Sequence, residues 1–403
     1  LSDGPKATAL GKIVIFAIII ASAYGAYRMW LKSKVGTSGG SDAAAVSSTG
    51  SPGSLASSGD VAEAEIGIAY GTEKDQWLKW AVLEFAKTEA GKKIKVNLIP
   101  VGSQEGAQRL VAGDQKIHIW APASSIYKEI FVQDWQVKYS NQPILKEESI
   151  ALSPMVFVMW KERYDAYMQK YGALNFATVE QALREKTGWQ GIAGKGEWGL
   201  FKLGHTLPNE SNSGLITLIL MAYDFHQKNK GLTAKDIIDY TFQARLANVE
   251  GAVSLSKSTG TMMREMVLKG PSTYDALFLY ESVAIDYLKN AEGRWGELHI
   301  AYPTRNMWND NPYYIIDATW SSPAQRKAAE VFLDFLLSEP VQKQSLQHGF
   351  RPANPAVPVK FANSPFVLYE KFGLRNDIGQ ICDPPSSDVI TNLLASWQRS
   401  QSH

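Results

Sequence analysis

From residue 64 onward, short β-like runs alternate with longer stretches of helical hydrophobic spacing, which restricts the chain to an α/β architecture. The runs are "EIGIAYG", "IKVNLIPVG", "KIHIWAP" and "SPMVFVMWK", then "WGLFKLGH", "ALFLYES", "ELHIAYP" and "PYYIIDAT". Between the first two, apolar residues at Trp77, Leu78, Ala81, Val82 and Phe85 follow helical spacing, with Gly91 placed as a C-cap. "EGAQRLVAG" predicts a shorter helix ending at Gly113. Right-handed strand–helix–strand crossovers make these leading strands parallel, with loops opening at their carboxyl ends.

The first three strands each end in small polar residues: Thr72, then Ser103, then Ser124 and Ser125. Any one of them reads most simply as a helix cap, because a hydroxyl accepts from an exposed N–H. Three at successive strand ends converge on one sheet edge, where hydroxyls and backbone N–H groups can hold a ligand. A second candidate lies in "HTLPNESNSGL", where Ser211-Asn212-Ser213-Gly214 precedes a helix apolar on several faces. A buried helix start leaves three or four N–H groups without intrahelical partners. Ser211 or Ser213 can cap one; water or a ligand must take the rest, and the helix dipole favours an anion. A plain cap is the alternative.

Charge and cysteine content narrow the function classes. Lys+Arg and Asp+Glu number 41 and 40, for a net charge of +1, which argues against a generic nucleic-acid binder. Cys382 stands alone, so there is no intrachain disulfide, multi-cysteine zinc site or C-x-x-C redox pair. No G-x-S-x-G or H-E-x-x-H motif occurs, the histidines are scattered, and "GKGEWG" lacks phosphate-loop spacing. The chain reads as a binding protein without catalytic residues, metal or cofactor.

Residues 13–27, "IVIFAIIIASAYGAY", are uncharged and apolar between Lys12 and Arg28. Fifteen helical residues reach about 22 Å, and flanking Leu10, Met29, Trp30 and Leu31 with snorkelling Lys12 and Arg28 extend this toward the ~30 Å of a bilayer core. A single transmembrane anchor over 1–35 is the expectation; Ala21-Ser22-Ala23 leaves a cleaved signal peptide as the alternative. Residues 36–63 are mostly Gly, Ser and Ala, the composition of a flexible tether.

Several later segments are similar to one known family. "AQRKAAEVFLDFLLSEPVQKQSLQHGFRPANPAV" at 324–357 resembles the late helix pair of the extracytoplasmic solute-binding proteins of bacterial ABC importers. "APASS", "LSPMVFVMW", "HTLPNESNSGL" and "LYESVAI" match in order, over nearly all of 64–360. The likeness is narrower still to the type II group that includes molybdate, sulfate and phosphate binders. It implies two α/β lobes joined by two chain crossings and closing like a hinge on a small-molecule ligand. On this sequence, lobe one takes 64–154 plus 303–403 and lobe two takes 155–302. The implied partner is an ABC permease or another membrane-complex subunit, and the implied location is extracytoplasmic on a single-pass anchor. Counting basic residues around the span favours the opposite orientation. A sensor or interaction subunit that keeps the fold is the second reading. Tyr280 is carried over as the tyrosine that reaches the ligand, with a core tyrosine as the alternative. Glu281 beside it opposes an anion unless it points away or pairs with Arg264, so the ligand's charge is left open, with an oxyanion favoured.

Overall fold

The computed structural model describes residues 62–291 and 294–401. The apolar run at 13–27 and the Gly/Ser/Ala segment to residue 60, on which the anchor and tether expectations fall, lie outside them. Among the described residues no helix is long and apolar enough to cross a membrane.

The chain opens with β1 (Ala64–Tyr70), α1 (Asp75–Phe85), β2 (Ile94–Pro100), α2 (Ser103–Ala112), β3 (Ile119–Ala121), α3 (Lys128–Tyr139) and β4 (Ile144–Ser149). β1 pairs in parallel with β2 and β3, as the crossover rule requires. α1 stops at Phe85, not at Gly91: residues 86–93 form turns in which Thr88 Oγ1 donates to Phe85 O at 2.7 Å. α2 ends at Gly113 in the left-handed conformation, φ 95°, where a side chain would be strained.

After the short β5 (Ala151–Leu152) comes β6 (Met155–Trp160), the first strand of a second sheet. It is followed by α4 (Lys161–Tyr171), α5 (Phe176–Arg184), β7 (Leu203–Thr206), α6 (Asn212–His226), α7 (Tyr240–Glu250), β8 (Ser254–Ser256), α8 (Thr259–Lys269), β9 (Ala276–Tyr280), α9 (Glu281–Ala291) and β10 (Leu298–Ala301). The second sheet runs β10-β6-β9-β7-β8.

The chain then returns through β11 (Arg305–Asn306) to β12 (Pro312–Ile316), which enters the first sheet antiparallel between β3 and β4, giving β2-β1-β3-β12-β4. α10 (Pro323–Leu337) and α11 (Glu339–Gln347) follow, then β13 (Arg351–Pro352), β14 (Gln380–Ile381) and α12 (Ser387–Ser400). The fold is bilobed α/β. α12 packs on α6 and α7, beside the second sheet, where Trp397 Nε1 donates to Glu250 Oε2 at 2.8 Å.

The two strands of chain that pass between the sheets are bonded to each other. Ser153 and Asn309 exchange backbone N–H···O bonds of 3.0 Å each, and Asn306 brackets Met155 with its amide at 2.9 and 2.8 Å. Trp77, Trp120 and Trp160 are buried in the cores, whereas Trp80, Trp198 and Trp308 are half-buried.

Candidate functional site

Gly214 fixes where the site begins. A Cβ there would lie 2.2 Å from the Thr206 carbonyl oxygen, so only glycine lets the first turn of α6 press against the end of β7. Ser211 is the N-cap residue but makes no capping bond. Its hydroxyl meets Ser213 Oγ at 3.2 Å, and Ser213 Oγ meets Thr206 Oγ1 at 2.6 Å. The first intrahelical bond is Leu215 N–H to Ser211 O at 3.2 Å. The N–H groups of Asn212, Ser213 and Gly214 therefore find no acceptor among the described residues.

Asn212, 5% exposed, links this helix start to the crossing segment at Asn309. Asn309 Nδ2 donates to Ser153 O at 3.0 Å, so the other end of the Asn309 amide is the acceptor that faces Asn212. Asn212 Nδ2 spends one hydrogen there, at 2.8 Å, and the other on the Tyr280 hydroxyl at 2.9 Å. Two consequences follow by counting. Tyr280 accepts in that bond, and the Ser213 side chain is a second hydrogen-bonding neighbour of its hydroxyl. Asn212 Oδ1 is left buried with no partner among the described residues. Burial, and secondarily the charge of Glu73, holds the Tyr280 hydroxyl well above its ordinary pKa, so it stays a donor.

Asn212 and Tyr280 line a cavity of about 70 Å³ between the lobes. From the first sheet, the loops after β1 and β2 contribute Thr72, Glu73 and Ser103. From the second come Ser211, Asn212 and Tyr280, with Lys257, Ser258 and Thr259 after β8. Glu73 Oε1 is paired with Lys74, whose fully buried Nζ also donates to Asn311 Oδ1 at 2.8 Å and Pro122 O at 3.2 Å. Burial lowers the Lys74 pKa, against the opposing pull of Glu73. Glu73 Oε2 has no donor among the described residues. A larger chamber of about 310 Å³ adjoins, sharing Thr72, Glu73, Ser258 and Thr259 and adding Trp77, Arg264, Asp286 and His348.

Of the residues singled out in the sequence, Thr72, Ser103, Ser211, Asn212 and Tyr280 meet at this cavity. Ser124 does not: its hydroxyl accepts from Ile126 N–H at 3.4 Å as a cap. Ser125 donates its N–H to Asp310 Oδ1 at 2.8 Å and faces a separate groove beside Pro384. Ser213 and Gly214 do not line it: Ser213 is fully enclosed, and Gly214 is pressed against the end of β7. Glu281 is not paired with Arg264. Arg351 takes it with two bonds of 2.8 Å and the Tyr302 hydroxyl adds a third, at complete burial. Sequence reasoning passed over Glu73 and the 257–259 loop. The latter repeats the pattern used for the first sheet, a strand end followed by Ser258 capping α8, but its strand is only three residues long.

Two lobes, paired crossing segments and a polar cavity between them define a ligand-capturing binding protein. Residues 66–351 match the bacterial extracellular solute-binding protein family, and the chain belongs to it. It is a non-catalytic solute-binding protein with an extracytoplasmic globular region. No curated protein matches its sequence. Among solved structures, a periplasmic thiamin-binding protein superposes with a TM-score of 0.57 at 13% identity, covering 87% of this chain and 100% of its own. Iron-bound HitA from Pseudomonas aeruginosa gives 0.56 at 12%, covering 83% and 99%. The sulfate-binding protein SubI from Mycobacterium tuberculosis H37Rv gives 0.51 at 14%, covering 84% and 98%. At these identities they define the fold, and their different cargoes leave the ligand to be argued from the site.

Proposed function

We propose that this protein captures a small oxyanion in the inter-lobe cavity and delivers it to an ABC-type importer, its head tethered to the membrane by residues 13–27. The observation that carries the reading is the start of α6. Three first-turn N–H groups without acceptors among the described residues belong to a helix whose buried dipole favours negative charge. The Tyr280 hydroxyl, held protonated by burial, stands on the same wall. The cavity, about 70 Å³, has room for a few atoms, well below the ~300 Å³ at which pockets for larger organic ligands begin. Thr72 and Ser103 face these donors from the other lobe, which supports closure of 64–154 with 303 onward against 155–302 about the Ser153–Asn309 crossing.

Thermal unfolding of the purified chain with molybdate, tungstate, sulfate and phosphate, and with sugars and polyamines as contrasts, tests this. An oxyanion at 100 times its dissociation constant is expected to add about 2.7 kcal/mol of stability. Silence from every oxyanion, with a sugar or polyamine stabilising instead, would sink the proposal. Silence from the whole panel together with a stably co-purifying membrane protein would transfer it to the sensor reading.

A further inference from the structure

Acceptors as well as donors are unspent around the cavity. Among the described residues Asn212 Oδ1 is buried without a donor, on a side chain whose two N–H bonds are fixed by Asn309 and Tyr280. Its amide cannot be turned round, because Asn309 Nδ2 is already committed to Ser153 O at 3.0 Å. Across the cavity, Glu73 Oε1 is held by Lys74 while Oε2 is without a donor among the described residues. A pure oxyanion satisfies the N–H groups of α6 but sets its charge against the Glu73 carboxylate, where like charges repel. A ligand that brings its own N–H donor gives Glu73 Oε2 a partner.

Glu73 also lies where the small cavity meets the 310 Å³ chamber, lining both. The chamber adds the acidic side chains Asp75 and Asp286, with Arg264 and His348 opposite in charge, and the ring of Tyr287. Taking the proposed oxyanion reading as its basis, we infer that the ligand is a small zwitterion: an oxyanion head seated on the start of α6, with an ammonium two or three bonds away at Glu73 Oε2. The same Glu73 that opposes a free anion then supplies the selectivity for an amine-bearing one.

Isothermal titration of the full chain at pH 7.5 tests this with matched pairs. O-Phosphoethanolamine is compared with ethyl phosphate, and taurine with ethanesulfonate; inorganic phosphate, sulfate and ethanolamine complete the set. The amine-bearing member of at least one pair should bind at least about tenfold more tightly than its amine-free twin, the scale of one charge-assisted hydrogen bond in a closed site. Glu73→Gln should bring that ratio close to one while leaving the amine-free twin as tight or tighter. Twins of equal affinity in both pairs, or a ratio unmoved by Glu73→Gln, would overturn the zwitterion while the oxyanion reading stands. If no phosphate, sulfate or sulfonate binds, both fall together. Should Glu73→Gln fail to fold because Lys74 loses its partner, the paired titrations on the unaltered chain decide alone.

Discussion

Replacing Glu281 by glutamine separates a fold role from a ligand role at the position where sequence alone leaves them confounded. Glu281 and Arg351 are 0% and 6% exposed and share two bonds of 2.8 Å, with Tyr302 on the same carboxylate. Arg351 further donates to the carbonyl oxygens of Arg375 and Asn376 at 2.7 and 2.8 Å, so one guanidinium ties α9, β13 and the segment before β14. Glutamine keeps the shape and removes the charge, leaving a buried guanidinium without a counter-ion, a change that costs about 3–5 kcal/mol. For a folded region of about 340 residues, unfolding entropy near 2.1 cal/mol/K per residue turns this into a drop in Tm of about 4–7 °C. Replacing both partners by Met removes the orphaned charge and should recover much of the loss. Calorimetry gives Tm, and titration with the oxyanion from the thermal screen gives affinity. Affinity should stay within about twofold, because Glu281 lies outside the cavity. A Tm drop under about 1 °C, or a folded variant with much weaker ligand binding, would refute the placement of Glu281 as a structural anchor.

Gly214→Ala places a Cβ 2.2 Å from Thr206 O; it should cost about 1–3 kcal/mol of stability and weaken oxyanion binding at least about tenfold, seen by urea unfolding and titration. Tyr280→Phe removes the acceptor for one Asn212 N–H and one ligand donor, and should cost about 1–2 kcal/mol in stability and a similar amount in binding. Urea unfolding across pH should show two opposed histidine contributions. His205 is fully buried against Glu250 at 3.0 Å; burial works against protonation, but the charge and hydrogen bond of Glu250 prevail and raise its pKa. Its contribution is full below the unfolded value of ~6.5 and lost as pH rises through the folded one, so His205→Gln should cost less at high pH. His299 is lowered to about 4 by burial and by Lys161. Its contribution is full above ~6.5 and fades as pH falls toward the folded value, worth ~1–2 kcal/mol after screening, and His299→Leu should flatten that acid limb.

Much of the fold was legible because its signal is local. The β-runs and the spacing of Trp77, Leu78, Ala81 and Phe85 are set by faces that must be buried, and the structure buries those four side chains. β4, "ILKEES", was missed because four of its six residues are polar on an edge strand, and β8 because three residues carry no period. The site was legible where it is made of backbone: a strand end followed by a helix start gives N–H groups whatever the side chains. It was not legible where partners are remote. Glu281 follows β9 directly and reads as a cleft residue, yet its partner Arg351 lies seventy positions away, a pairing that no local pattern encodes. Ser124 and Ser125 follow a strand end as Ser103 does, but a cap and Asp310 take them out of the cavity. Glu73 was passed over because a carboxylate contradicts the anion that the helix starts suggest. Only the hydrogen-bond count around Asn212 brings out an acceptor without a donor, Oδ1, among the described residues beside that helix start.

The central claim is that the start of α6 holds the ligand's oxyanion. A crystal structure of the chain soaked with selenate, located by its anomalous signal, tests it most directly. The account predicts a peak whose oxygens lie about 2.8–3.1 Å from the backbone nitrogens of Asn212, Ser213 and Gly214 and within reach of the Tyr280 hydroxyl. Well-occupied selenate elsewhere, with those nitrogens facing only water, would contradict it.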